Sequence, residues 1–230
     1  MANAETAQTT RSSVDRIVEQ LYDDIRQMRL LPGTRISETD IASQFGVSRQ
    51  PVRDAFNRLA NMDLILIRPK KATEVKKFSS AAIERSRFVR ASVEAEVLRR
   101  ASARCTPADG HQLDACLAMQ NKALAERDHA AFARLDYEFH QTLCDIAGVP
   151  FAFDVIRAEK EKVDRLCMLG LSKENRMPQL VEDHEAIATA VKTGNAEAAA
   201  EAGMRHLSRL DDTIEAIRVT SAAYFDDSED

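Results

Sequence analysis

Tryptophan is absent, aromatic residues make up only 5%, and 230 residues include just 7 glycines and 6 prolines. So few chain breakers and so little aromatic content exclude a turn-rich, sheet-dominated fold and favour long helices. No apolar run approaches the roughly 20 residues needed to span a bilayer, so no membrane role is expected. The first ten residues, MANAETAQTT, are small and polar and lack a signal-peptide pattern. The four cysteines, Cys105, Cys116, Cys144 and Cys167, form no Cys-x-x-Cys pair. Without an export signal they are expected as free, mostly buried thiols of a cytoplasmic protein. Neither a glycine-rich phosphate loop nor a Gly-x-Ser-x-Gly elbow occurs.

What is present is unevenly distributed. Hydrophobic residues make up 44%, enough for a sizeable core, and the formal net charge is -5. Arg11 to Lys77 nevertheless holds 13 lysines and arginines against 9 acidic residues, a net of +4, which leaves the chain from Phe78 onward strongly acidic. A basic first segment joined to an acidic second one fits a nucleic-acid-binding part coupled to a part that avoids nucleic acid.

The first segment reads as helix, helix, helix and a strand pair after a polar arm over 1–12. Val14, Ile17, Val18, Leu21, Ile25 and Met28 recur at helical spacing, and Pro32-Gly33 ends the run. Ser37 is placed to cap a second helix, with Asp40 in its first turn and Ile41, Ala42 and Phe45 on its inner face. Gly46 stops it, Ser48 is placed to cap a third, and Pro51 sits in that helix's first turn. Val52, Ala55, Phe56 and Leu59 form the inner face of the third helix, while Arg49, Gln50, Arg53 and Asn57 fall on other sides. Leu64–Ile67 and Thr73–Val75 read as strands, with Arg68, Lys70 and Lys71 at the tip between them. An apolar-backed helix with donors near its N-terminus, followed by a basic strand pair, is the layout of a winged helix-turn-helix over 13–77. The competing reading is a small helical subdomain with a solvated basic face.

The second segment, 78–222, reads as six helices forming an all-α antiparallel bundle, ahead of an acidic tail at 223–230. Helix starts are marked by Ser79 or Ser80, Thr106-Pro107, Asp128, Pro150, Met177 and Gly194-Asn195. Asp136 and His140 are one helical turn apart and share a face. His184 and His206 belong to the fifth and sixth of these helices. Three imidazoles and a carboxylate from three helices could converge on a divalent transition metal. On spacing alone this signal is weak, since a lone Asp-x-x-x-His pair is more often a surface contact or a satisfied core pair. His111 and His129, near helix starts, read as surface residues. The same donor set could activate water in a metal-dependent enzyme, but Glu138, the nearest candidate base, is two residues from Asp136 and points elsewhere on the helix.

The stretch PGTRISETDIASQFGVSRQPVRDAFNRLANMDLI resembles the DNA-binding domain of the GntR family of bacterial transcription regulators, nearly residue for residue over Gly46 to Leu59. The resemblance implies that Ser48, Arg49, Gln50 and Arg53 line DNA, with Lys70 and Lys71 on the wing. The family's usual wing-tip glycine is missing from Arg68-Pro69-Lys70-Lys71-Ala72. The second segment resembles the FCD ligand-binding domain of FadR-like regulators, on Arg90-Ala91-Ser92-Val93-Glu94, Asp136-Tyr137-Glu138-Phe139-His140, Glu182-Asp183-His184-Glu185-Ala186-Ile187, Gly194-Asn195-Ala196-Glu197-Ala198-Ala199 and Met204-Arg205-His206-Leu207. Six helices lean toward the VanR-like branch. Gly148-Val149-Pro150 stands where the family often has Gly-Asn-Pro. The resemblance implies that Asp136, His140, His184 and His206 bind zinc, nickel or a similar divalent ion, and that Arg90 lies near a bound effector. Arg90 is also spaced to pair with Glu94 along the helix.

These readings lead to a mainly α protein that is not an enzyme: a one-component regulator binding palindromic double-stranded operator DNA as a homodimer, acting as a repressor. A small carboxylate effector would bind with a metal ion in the second domain. The alternatives are a metal sensor without an organic effector and, more remotely, a metal-dependent enzyme fused to a DNA-binding module.

Overall fold

In the computed structural model, which describes residues 12–68, 71–171 and 176–226, the chain divides into two compact units. One runs to Phe78 and recruits Ala223–Asp226; the other is built from Ser79–Ala222.

The first unit holds three helices and a small sheet. Helix α1 spans Ser13–Arg26, α2 Glu38–Phe45 and α3 Arg49–Asn61. Ile17, Ile25, Val52, Phe56 and Leu59 meet in its core and are almost completely buried, each contributing about 1.5–3 kcal/mol by leaving water. The apolar run of α1 continues to Met28, but the helix stops at Arg26. Met28 takes φ 58, and Leu30 N–H turns back to the Asp24 carbonyl at 2.9 Å. Gly46 ends α2 in the left-handed region at φ 65, with its N–H on helix carbonyls. That conformation favours glycine and sets the tight turn into α3.

The wing is a three-stranded sheet in the order β1-β3-β2, all antiparallel. β2 is Ile65–Leu66 and β3 Thr73–Val75; β1, Arg35–Ile36, has no signal of its own in the sequence. Two residues are too few for an alternating pattern to register, and β1 exists because β3 pairs with it, Arg35 opposite Glu74.

The last residues do not begin as a free tail. Ala222–Tyr224 form a short 3-10 turn, and Phe225 pairs with Phe78, their rings 5.6 Å apart. Residues 227–230 lie outside the described residues, as do residues 1–11 of the expected arm.

The second unit comprises α4 (Ser80–Arg104), α5 (Pro107–Glu126), α6 (His129–Ile146), α7 (Ala152–Leu171), α8 (Met177–Lys192) and α9 (Ala196–Thr220). The capping residues explain where most of them begin. Ser79, Thr106, Asp128 and Asn195 each accept from the backbone of the first turn, and Thr106 with Asp109 completes a reciprocal capping box. The core is filled by Leu113, Phe139, Ile156 and Ile187, all at most 1% exposed. A satellite cluster of Ala123, Phe132, Met177 and Val181 joins α5, α6 and α8. Among the described residues Cys105, Cys116 and Cys144 are free thiols, but only Cys144 is buried; the other two are half-buried. Burial pushes the Cys144 thiol up to about 12, so it behaves as an apolar side chain. The Cys167 side chain lies outside the description.

Candidate metal centre and nucleic-acid interface

Asp136 and His140 project from α6, His184 from α8 and His206 from α9, and one ligand atom from each lies within 4.8 Å of all the others. All four residues are buried. The imidazole centroids stand 5.6 Å (His140–His184), 5.5 Å (His140–His206) and 4.8 Å (His184–His206) apart. Phe139 stacks on His184 at 4.4 Å and fixes one face of that ring.

The surrounding hydrogen bonds orient these rings. His140 Nδ1 lies 3.1 Å from Glu94 Oε2, and the other oxygen of Glu94 accepts from Arg90 Nε at 2.8 Å. His184 Nδ1 meets Gln120 Oε1 at 2.8 Å. His206 Nδ1 is 3.8 Å from Asp183 Oδ2, too far for a hydrogen bond, and Asp183 is itself held by Arg209 Nε at 2.9 Å. Asp136 splits its carboxylate: Oδ1 faces His184 Nε2 at 3.5 Å and Oδ2 faces Lys160 Nζ at 3.0 Å.

The nitrogens of His140 and His184 that point away from Glu94 and Gln120 are unsatisfied: both Nε2 atoms are buried without a hydrogen-bond partner. His206 Nδ1, on the side of Asp183, is also buried without one. One such group costs about 1–3 kcal/mol, and two Nε2 atoms facing one cluster beside Asp136 call for a shared partner. Imidazole nitrogens with a carboxylate are the donor set of zinc, nickel and similar ions, so the residues fit a divalent transition metal.

The electrostatics suit this role. Burial pushes His184 well below its ordinary value, with His206 adding to the shift against the opposing pull of Asp136. Burial also lowers His206, against Asp183. Both imidazoles are therefore held in the neutral, ligand-competent form. Burial works to raise Asp136, but the Lys160 ammonium beside it, foremost among the opposing charges, outweighs it and holds the carboxyl far below the usual range. Glu94 is likewise held far down by Arg90 and His140 in spite of its burial.

Glu94, Gln120, Lys160 and Asp183 escaped the sequence reading as site residues. Each carries a faint signal: a polar residue on an otherwise apolar helical face. Gln120 follows Leu113 by two turns, and Lys160 sits between Ile156 and Val163. Arg90, 6% exposed, is engaged with Glu94. His111, His129 and Glu138 are exposed and away from the cluster.

On α3 of the first unit, Ser48, Arg49, Gln50 and Arg53 are all exposed. Ser48 occupies the N-cap position, but its side chain makes no capping bond. The side-chain oxygen of such a cap accepts from the second or third helical N–H, and Pro51, the third residue, has none. Gln50 Nε2 donates to Asp54 at 3.0 Å, and Arg53 Nε donates to Glu38 Oε2 on α2 at 2.9 Å. Lys71 is exposed on the wing; Lys70 lies outside the described residues.

Comparison with known proteins agrees with this geometry. Residues 13–75 match the model of bacterial regulatory proteins of the gntR family, and residues 87–209 match the FCD domain. The chain belongs to the GntR family of bacterial regulatory proteins. This GntR-family chain is 32% identical over 224 residues to the HTH-type transcriptional repressor RspR of Escherichia coli K12, covering 96% of this chain and 98% of that one. Its fold is that of a putative GntR transcriptional regulator from Rhodococcus sp. RHA1, with TM-score 0.70, 22% identity and coverage of 90% and 99%. McbR/YncC of E. coli has the same fold, with TM-score 0.68, 17% identity and the same coverage. The GntR-family chain is thus a transcriptional regulator and not an enzyme, with a DNA-binding winged helix followed by an FCD domain, a class that binds small-molecule effectors and commonly a metal. Among the described residues no helix is long and apolar enough to cross a membrane.

Proposed function

We propose that this regulator is a homodimeric repressor of a palindromic operator, and that a small organic acid, bound with a divalent ion at Asp136, His140, His184 and His206, releases it from DNA. The ion is zinc or nickel. The reading is carried by one observation: four buried residues place one ligand atom each within 4.8 Å of the others, and the Nε2 atoms of His140 and His184 are buried without a hydrogen-bond partner. Repression is supported by the name of the E. coli relative at 32% identity.

Charge supports the organic acid. Around the imidazoles, Asp136 pairs with Lys160, Glu94 with Arg90 and Asp183 with Arg209. Each pair sums to zero, so a divalent ion would bring charge into a buried site without compensation, which is costly. A carboxylate that coordinates the ion supplies the missing anion, with Arg90 as its counter-cation; such a ligand must share or open the Arg90–Glu94 pair. Dimerisation follows from the reader: one small helix-turn-helix gives limited affinity, and twofold protein symmetry matches half-site symmetry. In this reading Ser48, Arg49, Gln50, Arg53, Lys70 and Lys71 contact DNA, and ligand binding shifts the balance between two arrangements of the readers.

A second reading has its own support. The cavity beside His140 and Glu94 measures about 10 Å³, room for about one water. So little space on the His140 side of the cluster leaves no room there for an organic acid, which suits a regulator in which the ion alone is the signal. A thermal-shift screen of small carboxylates, with and without metal, separates the two, because a ligand of the native state raises the melting point. A carboxylate that stabilises only the metal-loaded protein and lowers operator affinity supports the effector. Metal alone controlling DNA binding supports the sensor. A purified protein free of metal, and indifferent to added zinc and nickel, refutes both.

A further inference from the structure

Helix α5 contributes no ligand to the cluster, yet it sends one side chain to its edge. Gln120 is 0% exposed, an unusual position for an amide. Its Nε2 donates to the Leu135 carbonyl at 3.2 Å, which fixes the amide so that Oε1 faces His184 Nδ1 at 2.8 Å. Leu135 immediately precedes Asp136, so the amide is anchored to the helix turn that carries one ligand and bonded to the side chain of another.

We propose that Gln120 is a positioning residue that fixes His184 in its Nδ1–H tautomer, turning the Nε2 lone pair toward the metal cluster. The inference rests on the metal reading above and adds the device that prepares one ligand for it. An amide oxygen only accepts, so the nitrogen facing it must carry the proton. A neutral imidazole has one proton, which leaves Nε2 as the acceptor. That atom is buried without a hydrogen-bond partner and lies 3.5 Å from Asp136 Oδ1. The opposite tautomer would set two lone pairs against each other across the 2.8 Å contact and point an N–H at the ion. The stacked Phe139 ring, 4.4 Å away, restrains the imidazole against turning to escape. Hydrogen-bond partners behind a metal-bound histidine typically change metal affinity 10–100-fold.

The test uses the full chain, with zinc as the probe. Long-range proton–nitrogen NMR of histidine-labelled, metal-free protein reports the tautomer of His184, and competition with a chromogenic chelator gives zinc affinity. The wild type is expected as Nδ1–H. Gln120→Met keeps the volume and loses the amide acceptor; it should move His184 toward Nε2–H, donating to Asp136, and weaken zinc binding about 10–100-fold. Gln120→Glu keeps an acceptor and should restore both the tautomer and most of the affinity. A purely structural role for Gln120 would lower stability in both variants without this pattern. A wild type in the Nε2–H form overturns the proposal, whether or not the variants fold. So does a folded Gln120→Met protein with unchanged tautomer and zinc affinity. A wild type that shows Nδ1–H but takes up no zinc supports the hold of Gln120 on His184 and overturns the metal centre instead.

Discussion

Glu94 Oε2 lies 3.1 Å from His140 Nδ1 while its other oxygen accepts from Arg90 at 2.8 Å. One buried carboxylate on α4 thus orients a histidine of α6 and neutralises a buried guanidinium. Removing it leaves that cation without its carboxylate, and breaking a buried pair costs about 3–5 kcal/mol. Glu94→Ala should therefore lower unfolding stability by this amount in urea titrations. Replacing the pair together, as Arg90→Met with Glu94→Leu, should recover most of the loss. Zinc affinity should fall about 10–100-fold in either case, because His140 loses its support.

Arg53 donates to Glu38 at 2.9 Å. In the proposed DNA contact this carboxylate would compete with phosphate for the same guanidinium. Arg49→Ala and Arg53→Ala should each weaken operator binding by about 1–3 kcal/mol. Glu38→Gln should strengthen it, by releasing Arg53 and removing a negative charge from the reading surface. Fluorescence anisotropy on operator DNA measures all three. Affinity should fall steeply with salt, since phosphate contacts release counterions, and the dependence should become shallower in Arg53→Ala.

Gly46 turns α2 into α3 at φ 65, and a Cβ built there meets nothing within 4 Å. The penalty for a side chain is then purely conformational. Gly46→Ala should destabilise the protein by about 1–2 kcal/mol, and Gly46→Asn by less, because asparagine tolerates this region. Equal losses for the two, measured by chemical denaturation, would contradict the argument.

The pH dependence of the metal-free protein follows from the direction of the histidine shifts. His184 and His206 have lowered values in the folded state, so below about pH 6.5, the ordinary imidazole value, the unfolded chain binds protons that the folded one refuses. Stability should decline as pH falls through that value and continue to fall until the folded histidines titrate. Asp136 and Glu94 act at lower pH. Their depressed values add stability above the ordinary carboxylate range, which is lost as pH falls through the folded values. Melting temperatures of chelator-treated protein between pH 7.5 and 5 test the histidine part: His184→Gln with His206→Gln should flatten the decline.

Much of this was legible in the chain because it is local. Gly46, Thr106-Pro107, Asp128 and Gly194-Asn195 mark helix ends through backbone geometry and capping bonds that reach only a few residues. The face of α3 followed from the spacing of Val52, Ala55, Phe56 and Leu59. Local rules failed where two of them met: Ser48 reads as a cap, but Pro51 withholds one of the donors such a cap would use. They also failed where pairing created the element, as in β1, which only β3 makes a strand.

The amino-acid sequence by itself determined the helices and the apolar face of α3, because periodicity and capping act within one or two turns, whereas the four candidate donors were singled out by family resemblance and not by spacing. Only the tertiary structure decided that Asp136, His140, His184 and His206 meet, and that Glu94, Gln120, Lys160 and Asp183 stand behind them. Those contacts depend on how α4 to α9 are rotated and packed against one another. That packing is settled by burying the whole core around Phe139, Leu113 and Ile187, and no single segment encodes it.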